Sequence, residues 1–176
     1  MIGLLPVRRW PLHGDLHITG AFGEGEFCTV ESQIPALPGA YLLLIELTKG
    51  TDVKLRKMRS ASLVPGRYIY AGSAYGPGGL KARLSRHMRR TKVERWHIDQ
   101  LTKTGVRGAW IFPGCNECDL VVMNSALPVP IVGFGSTDCK RCRSHLLGPI
   151  CYSSIDPHNI GQGWPAWTEA SGTPQG

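Results

Sequence analysis

The stretch RYIYAGSAYGPGGLKARLSRHMRR, Arg67 to Arg90, decides how the chain is read. The turn signal Pro65-Gly66 introduces an aromatic strand over Arg67–Ala71. The strand runs into a glycine-rich loop, Gly72 to Gly79, and the loop opens a helix over Leu80–Arg90. At ~100° per residue, Leu80, Leu84 and Met88 form one apolar stripe. Arg83 and His87, four residues apart, lie on the border of that stripe, and Arg86, Arg89 and Arg90 point further outward. An arginine at such a border is expected to be partly desolvated and held against a sheet, where its fork suits phosphate oxygens. The loop lets backbone approach a ligand, and its helix N-terminus is expected to offer free N–H groups to phosphate. It is not a P-loop, because Gly78-Gly79-Leu80-Lys81 lacks the GK[ST] ending.

Outward from this stretch, Gly39–Leu47, GAYLLLIEL, is a continuous apolar run and predicts a strand buried on both faces. Val53-Lys54-Leu55-Arg56 suggests a short edge strand, and Val106–Phe112 a third core strand. Thr91–Lys103, with WHIDQL, predicts a second helix, and Glu117–Ser125 a third, short one. This order predicts an α+β domain with a small antiparallel or mixed sheet. The domain is expected over residues 39–150, preceded by a weakly patterned extension (1–38) in which GDLHITGAFGEGEF suggests a short strand or hairpin, and followed by a Gly/Pro/Ser/Thr-rich tail (151–176) without period. If the first two strands pair, Tyr41 and Tyr70 come close together near their ends.

The chain has 176 residues, enough for one domain with a proper core. Its formal net charge of +7 is concentrated: Lys54 to Arg95 holds twelve Lys or Arg and one acid, Glu94. That surface suits a large anion, nucleic acid first. The opening MIGLLPVRRWPL does not read as a secretory signal, and no run approaches the ~20 apolar residues of a membrane span. A soluble cytoplasmic protein is expected, with cysteines as thiols or metal ligands before disulfides.

Cys115-Asn-Glu-Cys118 and Cys139-Lys-Arg-Cys142 are two CxxC pairs twenty residues apart, the spacing of a structural zinc site, with His145 and Cys151 as possible substitutes for a ligand. Small buried core thiols are the alternative. His97 and Asp99 lie about 200° apart on a helix, so they do not make one ligand face. His97 is expected to bond the core and Asp99 to pair with a basic residue.

Gly39-Ala40-Tyr41 and Tyr70-Ala71-Gly72 resemble the two halves of the GIY-YIG nuclease motif. Arg83 falls eleven residues after Gly72, His87 one helical turn later, and Glu117 on the helix after the third strand. The stretches GPGGLKARLSRH, WHID, NECDL, GFGSTDC and SHL look closest to the compact, stand-alone Uri-type branch, over about Gly39 to Leu146. The resemblance implies a three-stranded antiparallel sheet flanked by helices, and single-metal hydrolysis of a phosphodiester in DNA, with RNA left open. Carried over by position, Tyr41 and Tyr70 would orient or deprotonate the attacking water, Arg83 would bind the scissile phosphate and His87 would assist. Glu117 would hold one Mg²⁺ or Mn²⁺, since a hard cation needs little more than a carboxylate and waters. Ser73, Lys81, Arg86, Arg89 and Arg90 are the candidate nucleic-acid contacts. Asn124 is a candidate, by distance alone, for a late asparagine used by several relatives. The competing reading is a non-catalytic nucleic-acid-binding module stabilised by zinc.

Overall fold

A computed structural model describes residues 19–20, 23–24, 26–28, 34–55, 58–103 and 105–150. In chain order its elements are β1 (Thr19–Gly20), β2 (Gly23–Glu24), β3 (Glu26–Cys28), β4 (Gly39–Leu47), β5 (Thr51–Leu55), β6 (Met58–Leu63), β7 (Gly66–Ser73), α1 (Gly79–Met88), α2 (Asp99–Thr102), β8 (Val106–Pro113), α3 (Glu117–Met123) and β9 (Leu146–Ile150). The tail over residues 151–176 and most of residues 1–38 lie outside the described residues.

The α+β class holds, but the main sheet has five strands rather than three, in the order β3-β8-β4-β7-β9 with every neighbouring pair antiparallel. Its three central strands are those the sequence marked. Of the two edges, β3, like the small β1–β2 pair, falls on GDLHITGAFGEGEF, where a short strand or hairpin was expected, and β9 was missed. β9, LLGPI, contains Gly148-Pro149, which reads as a break; proline is tolerated because β9 is an edge strand. The polar connection before β7 is a separate two-stranded ribbon, β5 with β6.

β4 is buried along almost its whole length, as its unbroken apolar run predicts. Tyr41, Leu43, Ile45 and Leu47 face one layer of core together with Tyr68, Leu80, Leu84, Ile98, Leu101 and Phe134. Leu42, Leu44, Ile69, Ala71, Trp110 and Phe112 alternate to the other face and are also buried. α1 packs on β8 and β4, and α3 on β4 and β7. Leu80 and Leu84 are fully buried, each contributing about 2 kcal/mol of burial that seats α1 on the sheet.

The helix expected within Thr91–Lys103 contracts to the single turn Asp99–Thr102. Residues 89–98 are irregular because their polar groups serve other ends. Lys92 Nζ donates to the carbonyls of His87 (2.7 Å) and Arg86 (3.3 Å), closing the C-terminal end of α1. The N-terminus of α1 is closed as well. Gly78 and Gly79 take positive φ values of 78° and 54°, and a Cβ at Gly79 would run into the Leu37 carbonyl. That approach lets Leu80 N donate to Leu37 O (2.8 Å) and Lys81 N to Pro35 O (3.1 Å). The expectation of free N–H groups for phosphate at this helix start is therefore overturned: the segment before β4 already satisfies them.

Among the described residues no helix is long and apolar enough to cross a membrane.

Candidate functional site

β4 and β7 pair with Tyr41 opposite Gly72 and Leu43 opposite Tyr70, so both phenols stand on the face that α1 covers. A Cβ at Gly72 would collide with the Tyr41 ring, reaching its Cε2 at 2.7 Å. Glycine at this position is the space the Tyr41 ring occupies. From α1, His87 reaches down to the same ring: Tyr41 Oη lies 2.9 Å from His87 Nε2, and both residues are buried.

The electrostatics assign the donor. Burial, then the neighbouring Tyr70 and Glu117, push the Tyr41 phenol well above its ordinary pKa, against the opposing pull of Arg83. Burial, reinforced by Lys92, Arg83 and Arg86 and opposed by Asp99, lowers His87 to about 3. A neutral imidazole therefore meets a protonated phenol. The buried Asp99 carboxylate lies 3.9 Å from His87 Nδ1, outside hydrogen-bonding distance but on that side of the ring. It favours the Nδ1–H tautomer, so the Tyr41 O–H donates to Nε2.

Tyr70 is pushed up to about 12 by burial, with Glu117 and Asp99 adding to the shift and Arg83 opposing it. Its ring meets Phe134 edge-on at 6.1 Å, and a Cβ at Gly135 would approach it to 2.7 Å. Glu117 is the first residue of α3. Asn116 caps this helix, its Oδ1 accepting from Cys118 N at 2.8 Å, which fixes where Glu117 leaves the backbone. Among the described residues no ion pair or hydrogen bond engages the Glu117 carboxylate or the Arg83 guanidinium. The Arg83 guanidinium stacks on Trp96 at 4.2 Å, with its N–H donors left over. The structure thus gathers Tyr41, Tyr70, Arg83, His87 and Glu117 within one electrostatic neighbourhood.

Arg86 does not point outward as the stripe suggested. Its guanidinium forks onto Asp99, at 2.8 Å and 3.2 Å, and donates to Val93 O at 3.0 Å. It too stacks on Trp96, at 4.3 Å. Asp99, fully buried, also accepts from the N–H groups of Arg95 and Trp96. Burial raises its carboxyl, and these donors outweigh that and hold it below the usual range. The pairing expected of Asp99 is present, and its partner is a cation removed from the surface set. Lys81, Arg89 and Arg90 are exposed, and Ser73 is half-buried at the end of β7. His97 packs its ring on Phe134 at 5.9 Å. Asn124 donates to Leu120 O at 2.8 Å and closes the end of α3, a structural role. Trp96 was missed: nothing about a lone tryptophan before HID announces a platform for two arginines.

A second group lies beside Glu117. Cys118, Cys139, Cys142 and His145 bring one ligand atom each within 4.8 Å of one another, a Cys₃His donor set that suits a metal such as zinc. Cys115, the fourth cysteine of the two pairs, is buried outside this group, and its carbonyl accepts from Tyr75 Oη at 2.9 Å. His145 stands in its place, and Cys151 lies outside the described residues. The C-x₂-C-x₂-H spacing of 139, 142 and 145 carries the signal for His145. Cys118 and Cys139 Sγ are 3.4 Å apart. Burial, followed by hydrogen bonds with the other two thiols, pushes Cys118 up to about 12. At Cys139 burial is outweighed by the N–H groups of Arg141 (3.4 Å) and Cys142 (3.3 Å), which lower its thiol.

No curated protein and no solved structure matches this chain. A family described as a domain of unknown function, DUF123, matches residues 40–156, a span that runs from Tyr41 through the last residue of the Cys₃His group, and the chain belongs to that family.

Proposed function

We propose that the chain is a metal-dependent endonuclease of GIY-YIG type that hydrolyses phosphodiester bonds in DNA. The observation that carries this reading is the gathering of Tyr41, Tyr70, Arg83, His87 and Glu117 from β4, β7, α1 and α3. The Arg83 guanidinium, braced on Trp96 with donors to spare, takes the non-bridging oxygens of the scissile phosphate.

A phenol held this far above its ordinary pKa is no base by itself. The contact with His87 supplies the missing acceptor. As water attacks phosphorus, its proton passes to Tyr41 Oη while the phenol proton passes to His87 Nε2. The P–O bond to the leaving oxygen breaks, and that oxygen is protonated from solvent. The imidazolium so formed is stabilised by Asp99 on its Nδ1 side. Tyr70, protonated, orients the same water. The uncommitted Glu117 carboxylate fits a hard divalent cation, Mg²⁺ or Mn²⁺, whose chemistry is to neutralise charge developing at phosphorus. Lys81, Arg89 and Arg90 contact the flanking backbone phosphates.

The test is nicking of supercoiled plasmid in Mg²⁺, Mn²⁺ or EDTA, with Glu117→Gln and Arg83→Ala beside the parent chain. Nicking that needs a divalent ion and falls at least ~10²-fold in both variants is expected. Nicking that persists in EDTA or is unchanged in both variants overturns the reading. DNA binding without nicking under any ion favours the non-catalytic binding module.

A further inference from the structure

We propose that Cys118, Cys139, Cys142 and His145 bind one Zn²⁺ ion, and that this ion clasps the irregular segment 124–145 to the start of α3. The inference stands independently of the nuclease reading.

Four observations carry it. The donor atoms already lie within 4.8 Å of one another. A tetrahedron with Zn–S bonds of ~2.3 Å has S···S edges of ~3.8 Å, so small movements complete it. Cys139 accepts N–H bonds from residues two and three positions ahead, a turn that presents a thiolate outward with its charge partly offset by backbone. His145 is buried, and its Nε2 has no hydrogen-bond partner. A polar nitrogen buried without a partner is destabilising unless something binds it or its ring is fixed by a ligand on the other nitrogen.

The fourth observation is the segment itself. Residues 124–145 contain no helix or strand, yet they cover Tyr70 with Phe134 and Gly135. A structureless connection of this length inside a folded domain needs an internal tie. Its backbone ties include Leu127 N to Asn124 O, Gly148 N to Pro128 O, Gly133 N to Arg143 O, His145 N to Phe134 O and Cys139 N to Ser136 O. Three ligands from this segment and one from α3 supply a cross-link between its polar turn and α3, in addition to the buried Ile131 and Phe134 that seat the segment on the core. Cys118 follows Glu117 directly, so the clasp fixes the helix turn that presents the carboxylate. His145 O accepts from Ala71 N at 2.9 Å, so it also fixes the strand that carries Tyr70. Zinc fits better than Mg²⁺ or Ca²⁺ because thiolates and imidazole are the softer ligands.

The test is elemental analysis of the full chain purified without chelator, together with the absorption spectrum of the Co²⁺-substituted protein. About one zinc per chain and a tetrahedral thiolate–cobalt spectrum are expected. Cys139→Ser and His145→Ala are expected to lose the metal, and Cys115→Ser to keep it. Should a ligand variant fail to fold, trypsin supplies a second readout on the parent chain: chelation exposes cleavage at Lys140, Arg141 and Arg143, and zinc restores protection. A metal-free chain that resists trypsin overturns the proposal. So does a Cys118–Cys139 disulfide, seen as a loss of free thiols. Zinc kept in His145→Ala and lost in Cys115→Ser overturns the ligand set.

Discussion

The two sides of the candidate site are built on different principles. Tyr41, Arg83 and His87 sit on β4 and α1, whose positions follow from fully buried leucines at strand and helix periods. Tyr70 is covered by segment 124–145, which has no period, is seated on the core by Ile131 and Phe134, and brings three metal-type ligands to Cys118 beside Glu117. The first side is rigid because apolar burial over-determines it. The second is only as well placed as its ties. A single site can thus draw its geometry from regular elements on one side and an irregular segment on the other, both resting on one core.

The largest expected effect is on the first side. Asp99 is fully buried and neutralises Arg86 through a fork, while accepting from two backbone N–H groups. Asp99→Ala removes every one of these acceptors and leaves a half-buried guanidinium uncompensated. A loss of about 3–5 kcal/mol is expected, measured by chemical denaturation. Zinc content at temperatures where the variant stays folded should be unchanged, because no ligand touches α2. Loss of zinc from the folded variant would show that the two sides are one cooperative unit.

Two glycines sharpen the same contrast with a smaller effect. Gly72 lies in β7 between β4 and β9, and the atoms that a Cβ would meet belong to the Tyr41 ring, which His87 pins from above. Gly135 lies in the irregular segment at φ 71°, and its Cβ would meet the Tyr70 ring. Gly72→Ala is expected to destabilise by up to ~3 kcal/mol, as overpacking between fixed elements does. Gly135→Ala meets mainly the left-handed backbone penalty of about 1–2 kcal/mol, because the loop can give way. Thermal unfolding of the two variants side by side measures the difference. Equal losses would mean that the loop is as rigid as the sheet.

The same division explains what the sequence disclosed. The unbroken run in Gly39–Leu47 and the stripe Leu80, Leu84, Met88 are periodic, and each became the element expected of it. The GIY-YIG-like spacing named the five residues that come together. Three kinds of information were not local and were not legible. Edge strand β9 exists only through pairing with β7, and its Gly148-Pro149 hides it, whereas β3 falls where a short strand or hairpin was expected. The helical wheel turns Arg86 further outward than Arg83, yet the fold of residues 89–99 brings a carboxylate to Arg86 and draws it in. The cysteine pairs pointed by spacing to a candidate metal-ligand group, but spacing could not choose between Cys115 and His145, because the choice depends on where α3 starts relative to strand β9.

An effect of about the size expected for Gly135→Ala is a pH dependence that belongs to the first side. His87 has a folded-state pKa of about 3 against 6.5 for the free side chain, with burial the leading cause. Asp99, Lys92, Arg83, Arg86 and the Tyr41 hydroxyl surround it, and the net field keeps it neutral. The unfolded chain therefore takes up a proton below pH 6.5 that the folded chain refuses. Stability from this group is complete above pH 6.5 and falls as pH drops toward about 3, by about 2 kcal/mol between pH 6.5 and 5. Asp99 and Glu46 have carboxyl pKa values below their ordinary range, so their losses begin at lower pH and do not fill this window. His145 is also lowered by burial and changes stability in the same direction, so the parent chain alone cannot assign the slope. His87→Gln keeps a hydrogen-bond partner for Tyr41 and removes only the titration. Urea denaturation at pH 5, 6 and 7 should show a shallower acid slope in that variant, by roughly one proton's worth, with Cys₃His zinc retained. An unchanged slope would place the acid sensitivity on the His145 side and leave the Tyr41–His87 pair without the buried, neutral character that the proposed proton relay requires.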